Sequence, residues 1–306
     1  MRLAYAFAAL LAAAAATCEP TAFRADVAGH GRTMILIPGL SSSGDTWKST
    51  VAHYQDRFTT HTLTLAGFAG VPPIEGGGPV LAAVRDQLAA YIEANHLEKP
   101  IVVGHSLGGN VAIDLAATRP DLIGPIVIVD SLPFYASVLF RVDTADAARP
   151  MVEQMRSSLA GLSRQQYDDY VTSHQATRFM VTKPADLDAI TQWGLRSDPK
   201  TVYTAMAELY GADLRPALPR IASPALVLGT WTGIRDQMQQ AHIDITKAAI
   251  VENFRQQYQG LRTMHFAISD SARHFVMFDD PGWFFAQVDA FLADPARVTG
   301  ERGFTP

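Results

Sequence analysis

Only one cysteine occurs among the 306 residues, Cys18, so no intramolecular disulfide can brace the fold. There is no excess of positive charge. Lys and Arg number 25 against 30 Asp and Glu, a formal net charge of -5, which removes any general electrostatic case for nucleic acid. After the N-terminus no apolar run is long enough to span a bilayer. A Walker-type phosphate loop is missing, and no His/Cys/Asp/Glu cluster shows metal-ligand spacing. No cofactor or metal is therefore expected, and the partner expected is a small molecule. What the chain does have is apolar content, 48% of residues, enough for one large core without a second independent domain.

The first residues stand apart. Arg2 precedes an almost unbroken Ala, Leu and Phe stretch from Leu3 to Ala16. A cationic start, an apolar stretch and small residues at its end read as a secretory signal over 1–17, with cleavage near Ala14-Ala15-Ala16 and export to the periplasm or medium. Cys18 follows at once, which raises lipoprotein processing, although Ala15-Ala16-Thr17-Cys18 lacks the upstream Leu of a good lipobox. Thr21 to Asp26 reads as a linker.

The chain is organised around Gly104-His105-Ser106-Leu107-Gly108. The apolar run Ile101 to Val103 comes before it, and Asn110 to Ala117, helical in pattern, comes after it. Strand, Gly-x-Ser-x-Gly and helix together are the context of a nucleophile elbow, in which the serine hydroxyl is lifted above the sheet edge. The flanking glycines let strand and helix close on each other and tolerate unusual backbone angles. The rival reading is a glycine-rich turn with an idle serine.

Around this stretch strands and helices alternate. Thr33 to Ile37, Thr62 to Leu65, Ile101 to Val103, Ile126 to Val129, Ala225 to Gly229 and Thr263 to Ile268 read as strands. Amphipathic segments such as Val80 to His96 and Pro281 to Leu292 lie between or after them. That rhythm predicts an α/β fold with a mostly parallel, doubly wound sheet. Ligands then bind beyond the carboxyl ends of the strands. From 133 to 220 no strand appears and several helices do, which reads as a helical cap. The expected division is a core over 18–132, the cap over 133–220 and the rest of the core over 221–306.

Pro38-Gly39-Leu40-Ser41-Ser42-Ser43-Gly44 follows the Thr33 strand. Its small residues let backbone approach a ligand. The Leu40 N–H, or that of Ser41, would supply half of an oxyanion hole, and the Leu107 N–H the other half. His274 follows the last strand by a short loop and is the candidate general base. His105 inside the elbow reads as a packing residue, and His265 as a core or surface residue of a strand. For the acid, Asp130 stands at the tip of the strand after the nucleophile strand, about 4.8 Å across in a sheet. It competes with a bland role as a turn cap. Asp236 is the alternative, read as lying late in a loop after Ala225 to Gly229.

With these residues the chain resembles the α/β-hydrolase family over 30–293, and most closely its cap-bearing, pimeloyl-ester-esterase-like or haloperoxidase-like group. The resemblance implies the order nucleophile, acid, histidine, and a serine hydrolase that cleaves carboxylic esters through an acyl-enzyme. Two departures stand out. Pro38 replaces the histidine many relatives carry before the glycine, and the residues Thr230 to Arg235 lack the carboxylate many relatives place there. Serine at 106 argues against the epoxide hydrolases and haloalkane dehalogenases of this fold, which use aspartate. Lactonase, thioesterase, C–C hydrolase and perhydrolase chemistry remain open, as does a non-catalytic binding protein on the same scaffold. The aromatic and Met content of the cap suggests a small apolar substrate.

Overall fold

The computed structural model describes residues 22–296 apart from 241. The secretory signal, its cleavage site and Cys18 lie outside the described residues. One sheet of seven strands forms the centre: β1 (Phe23–Gly29), β2 (Arg32–Ile37), β3 (Phe58–Leu65), β4 (Ile101–His105), β5 (Ile126–Val129), β6 (Ala225–Thr230) and β7 (Met264–Ser269). Their spatial order is β1-β3-β2-β4-β5-β6-β7. All neighbours run parallel except β1, which pairs antiparallel with β3, Phe23 opposite Leu65.

β1 corrects the linker expected at Thr21 to Asp26. Its outward positions, Arg24, Asp26 and Gly29 among them, are exposed, so only one side of this edge strand carries a hydrophobic signal. β1 also explains why β3 begins at Phe58, earlier than Thr62. Pairing with β1 buries Thr60 and His61, polar residues that do not look like strand core in isolation.

Along the central strands alternate side chains face opposite ways, with a period of two. Ile35, Ile37, Val102, Ile126, Ile128 and Val227 join the core on one face. Met34, Leu36, Ile101, Val103, Val127, Val129 and Leu228 join the core on the other. Both faces are covered, which is why these strands are apolar throughout. Helices α1 (Lys48–Tyr54), α2 (Val80–Ala94) and α3 (Leu107–Thr118) belong to the first half of the sheet. The stretch between β5 and β6 holds α4 (Ala136–Leu139), α5 (Ala145–Ala160), α6 (Arg164–Thr172), α7 (Pro184–Leu195) and α8 (Pro199–Gly211), and no strand among the described residues. The chain ends with α9 (Thr232–Gln240), α10 (Lys247–Gln257), α11 (Val276–Asp279) and α12 (Pro281–Ala293). No helix of the described residues is long and apolar enough to cross a membrane.

The helical insertion is tied to the core at several points. Glu208 of α8 accepts from the Val80 and Leu81 N–H groups at 3.0 and 2.8 Å, at the start of α2. Pro79, at the N-cap of α2, has no side-chain oxygen to offer. Glu208 thus satisfies amides that every helix start leaves open. On the loop after β3, the Ala69 N–H donates to Ser197 Oγ at 2.9 Å and Gly67 O accepts from the Asp198 N–H at 2.7 Å.

Candidate active site

β4 delivers Ser106 at its carboxyl end, and α3 starts at the next residue. Ser106 has φ 52 and ψ −118, a conformation side chains other than glycine rarely adopt. Close packing enforces it. A Cβ at Gly104 would lie 2.2 Å from Gly108 O, and one at Gly108 would lie 2.3 Å from Ile37 O. Strand, turn and helix therefore meet backbone to backbone, and only glycine fits at either position.

The loop after β2 crosses the elbow. A Cβ on Gly39 would come within 3.2 Å of Ser106 Cβ and 3.0 Å of His105 Nδ1. Ser42 N–H donates to Gly39 O at 3.2 Å, and Ser41, at φ 56, turns the chain away. Leu40 lies in this turn. Leu107, as the first residue of α3, has an N–H without an intrahelical acceptor. Of the two residues named for an oxyanion hole, Leu107 directly follows the serine and Leu40 directly follows Gly39, whose backbone approaches it.

Asp130 directly follows β5 with φ 45, its N–H held by Leu228 O at 2.7 Å. One carboxylate oxygen accepts from the Thr230 N–H at 3.0 Å. The other meets His274 Nδ1 at 2.6 Å. A carboxylate can only accept there, so Nδ1 carries the hydrogen and Nε2 is left with its lone pair. Both side chains are largely buried, 12% exposed for Asp130 and 22% for His274.

Asp236 goes elsewhere, which corrects the alternative assignment. It lies on α9 rather than in a loop, and its carboxylate accepts from Arg235 at 2.8 Å and Arg273 at 2.9 Å. Burial pushes its pKa up, but the two guanidiniums outweigh that and hold it below the usual carboxylate range. Asp236 instead belongs to the support of the histidine loop. Arg273 also donates to Arg178 O at 3.1 Å and Val181 O at 2.8 Å, while its own N–H goes to Asp279 Oδ2 at 2.8 Å. The Phe275 N–H donates to Met180 O at 3.1 Å. His274 is thereby fixed between two braced neighbours. Arg273 next to the candidate base was the available sequence signal for this brace.

His105 is fully buried and packs under His274, ring centroids 4.5 Å apart. Its Nε2–H donates to the His274 carbonyl at 3.0 Å. Burial, then the nearby His274, drive its pKa well below the usual imidazole value. It is a neutral support for the loop backbone. His265 is on β7, edge-on to Phe291 at 5.2 Å. Tyr135, just before α4, is a further residue at the site: its hydroxyl donates to Ser131 Oγ at 3.1 Å, and it interacts with the Ser106 side chain. No group of three or more potential metal ligands occurs among the described residues.

The model of the alpha/beta hydrolase family matches residues 34–287, a span that includes the elbow, Asp130 and His274. The chain belongs to the alpha/beta hydrolase family. Among curated relatives of this hydrolase is the pimeloyl-[acyl-carrier protein] methyl ester esterase of Vibrio parahaemolyticus, 27% identical over 210 residues, 65% of this chain and 75% of that one. Another is a putative carbamate hydrolase of Yersinia enterocolitica, 24% identical over 198 residues, 64% of this chain and 69% of that one. Among solved structures, the enol-lactonase of Burkholderia xenovorans superposes with a TM-score of 0.68 at 18% identity, covering 89% of this chain and 96% of that one. A thermophilic esterase from Thermogutta terrifontis gives 0.67 at 18% identity, covering 90% and 94%. The structural likeness speaks for the fold. Together with the family match, the hydrolase and esterase relatives support a hydrolytic role.

Proposed function

We propose that this hydrolase cleaves carboxylic esters of small molecules with Ser106 as nucleophile, His274 as general base and Asp130 as the acid. The observation that carries this reading is the 2.6 Å contact of Asp130 with His274 Nδ1, which leaves Nε2 free to take a proton. In the first step Ser106 Oγ attacks the ester carbonyl while His274 Nε2 accepts its proton. The Leu40 and Leu107 N–H groups hold the oxyanion. His274 then returns the proton to the departing alcohol, leaving an acyl-Ser106. Water, deprotonated by the same nitrogen, hydrolyses it. Asp130 fixes the tautomer and stabilises the imidazolium. The residues before 18 suggest export, and we propose that the hydrolase works outside the cytoplasm.

The test is hydrolysis of p-nitrophenyl esters from acetate to palmitate by protein beginning near Thr21. Ser106→Ala is expected to lower kcat by about 10⁴-fold or more, and to abolish labelling by a fluorophosphonate. Asp130→Asn should cost about 10²- to 10⁴-fold, and Asp236→Asn much less. Folded wild-type protein that neither turns over an ester nor takes the label would overturn the reading.

A further inference from the structure

A cleft of about 770 Å³ opens where α10 meets the beginning and the end of the helical insertion. Small-molecule sites run from about 300 to 1,000 Å³. Ser106, Asp130 and His274 are not in its walls, so the chemistry proposed above leaves it without a role. Sites of that size are usually lined by apolar and aromatic side chains. Here Pro216 is the only apolar wall residue among the described residues, and side-chain amides dominate the rest.

The sequence of α10 divides it into two faces. Ile250 and Phe254 are buried in the core. Asn253, Gln256 and Gln257, spaced i, i+3 and i+4, line the cleft, and Gln259 joins them just past the helix end. Gln257, only 3% exposed, forms the floor. Its Nε2 donates to Phe134 O at 3.1 Å and to Ser137 Oγ, while its Oε1 has no partner among the described residues. Ser137 Oγ donates in turn to Phe134 O at 2.8 Å, which fixes the floor in place. Above it stand the half-buried Asn253 and the exposed Gln259, whose side chains have no partner among the described residues.

The charges in the wall narrow the ligand. Arg215 donates to both oxygens of Asp213, at 2.9 and 2.7 Å, and to Asp143 O at 2.6 Å, and its guanidinium lies 4.4 Å from the centre of the Phe134 ring. That cation is spent, so an anion finds none free in the wall. The exposed Asp143 carboxylate makes no ion pair among the described residues and can only accept. An amide both donates and accepts. Adjacent hydroxyl groups, each donor and acceptor, match such an array, whereas an apolar ligand would strip it of water and return no hydrogen bonds. We propose that this cleft binds a neutral polyhydroxylated molecule, a sugar or sugar alcohol, through Asp143, Asn253, Gln256 and Gln259. The site is separate from the ester chemistry and does not depend on it.

The test is an NMR titration of the wild-type protein with glucose, trehalose and sorbitol, with tetramethylammonium and acetate as charged controls. At least one of the three hydroxylated probes is expected to shift the side-chain amide signals of Asn253, Gln256 and Gln259 saturably, with a Kd on the order of 1 mM or tighter. Sorbitol against the two ring sugars separates an open-chain from a cyclic ligand. Asn253→Ala and Gln256→Ala, which keep a good helix former on α10, should each weaken that binding by about fivefold or more. Gln259→Ala, at an exposed position beyond the helix, replaces either variant that fails to fold.

Three results would overturn the proposal. The first is no saturable shift with any hydroxylated probe, or shifts confined to other parts of the molecule. The second is an affinity that stays within about twofold of wild type in both variants. The third is a charged control that binds the same amides more tightly than all three hydroxylated probes, which would make the cleft an ion site. Ester turnover, present or absent, alters none of these readouts.

Discussion

At the scale of single residues the site depends on what cannot be added. Gly104 and Gly108 have backbone oxygens where a Cβ would sit, at 2.2 and 2.3 Å. Gly104→Ala is expected to destabilise the protein by several kcal/mol, on the order of a severe overpacking change, and to yield insoluble or poorly folded chain on expression. Asp236 gives a subtler outcome. Its folded pKa is depressed, so its contribution is present above the unfolded value of about 3.9 and is lost as pH falls through the folded value. Asp236→Asn should therefore cost about 1–2 kcal/mol at neutral pH, and the gap to wild type should close below about pH 4, read as converging melting curves. Ser106 and Asp130 were legible as candidates because each directly follows a strand that an apolar run announces, and His274 because it comes a short loop after the last such strand. Tyr135 was not. Its ring reads like any apolar residue of the insertion, and only the folded chain brings its hydroxyl to Ser131 Oγ and its side chain to that of Ser106.

At the scale of elements, the long parallel strands were readable and the edge was not. Central strands are buried on both faces, so their sequences are apolar without interruption. β1 shows one side to solvent, and its alternation of Arg24, Ala25, Asp26 and Val27 resembles ordinary loop composition. α9 was missed for a related reason. It carries a single short buried patch, Thr232 and Gly233, and apart from the half-buried Ile234 and Met238 its remaining positions are polar. α2 was expected, but nothing in its sequence says who completes its first turn. Glu208→Ala would leave the Val80 and Leu81 N–H groups without a partner. Loss of a cap typically costs about 0.5–2 kcal/mol. Faster hydrogen exchange confined to the start of α2 and to α8 would register it, whereas unchanged exchange there would mean that water substitutes for the carboxylate.

At the scale of the whole molecule, pH acts through buried imidazoles. His105 and His61 both have pKa values lowered by burial, more strongly for His105. They stay neutral in the folded chain but take up protons in the unfolded chain at about pH 6.5. The unfolded state then binds more protons, so stability falls as pH drops below that value. Melting temperature should decline between about pH 7 and about pH 5, and His105→Gln should flatten the decline. A wild-type curve that is level over this interval would contradict the neutral assignment of His105. The same scale sets the reach of the insertion. A carboxylate that α8 lends to α2 completes a helix of the core, so neither piece is finished without the other. Exchanging this insertion for that of another family member would be a graft between strangers. It would take only if the incoming segment brought an acceptor to the same two amides, and lineages that trade such segments must keep that handshake or rebuild it.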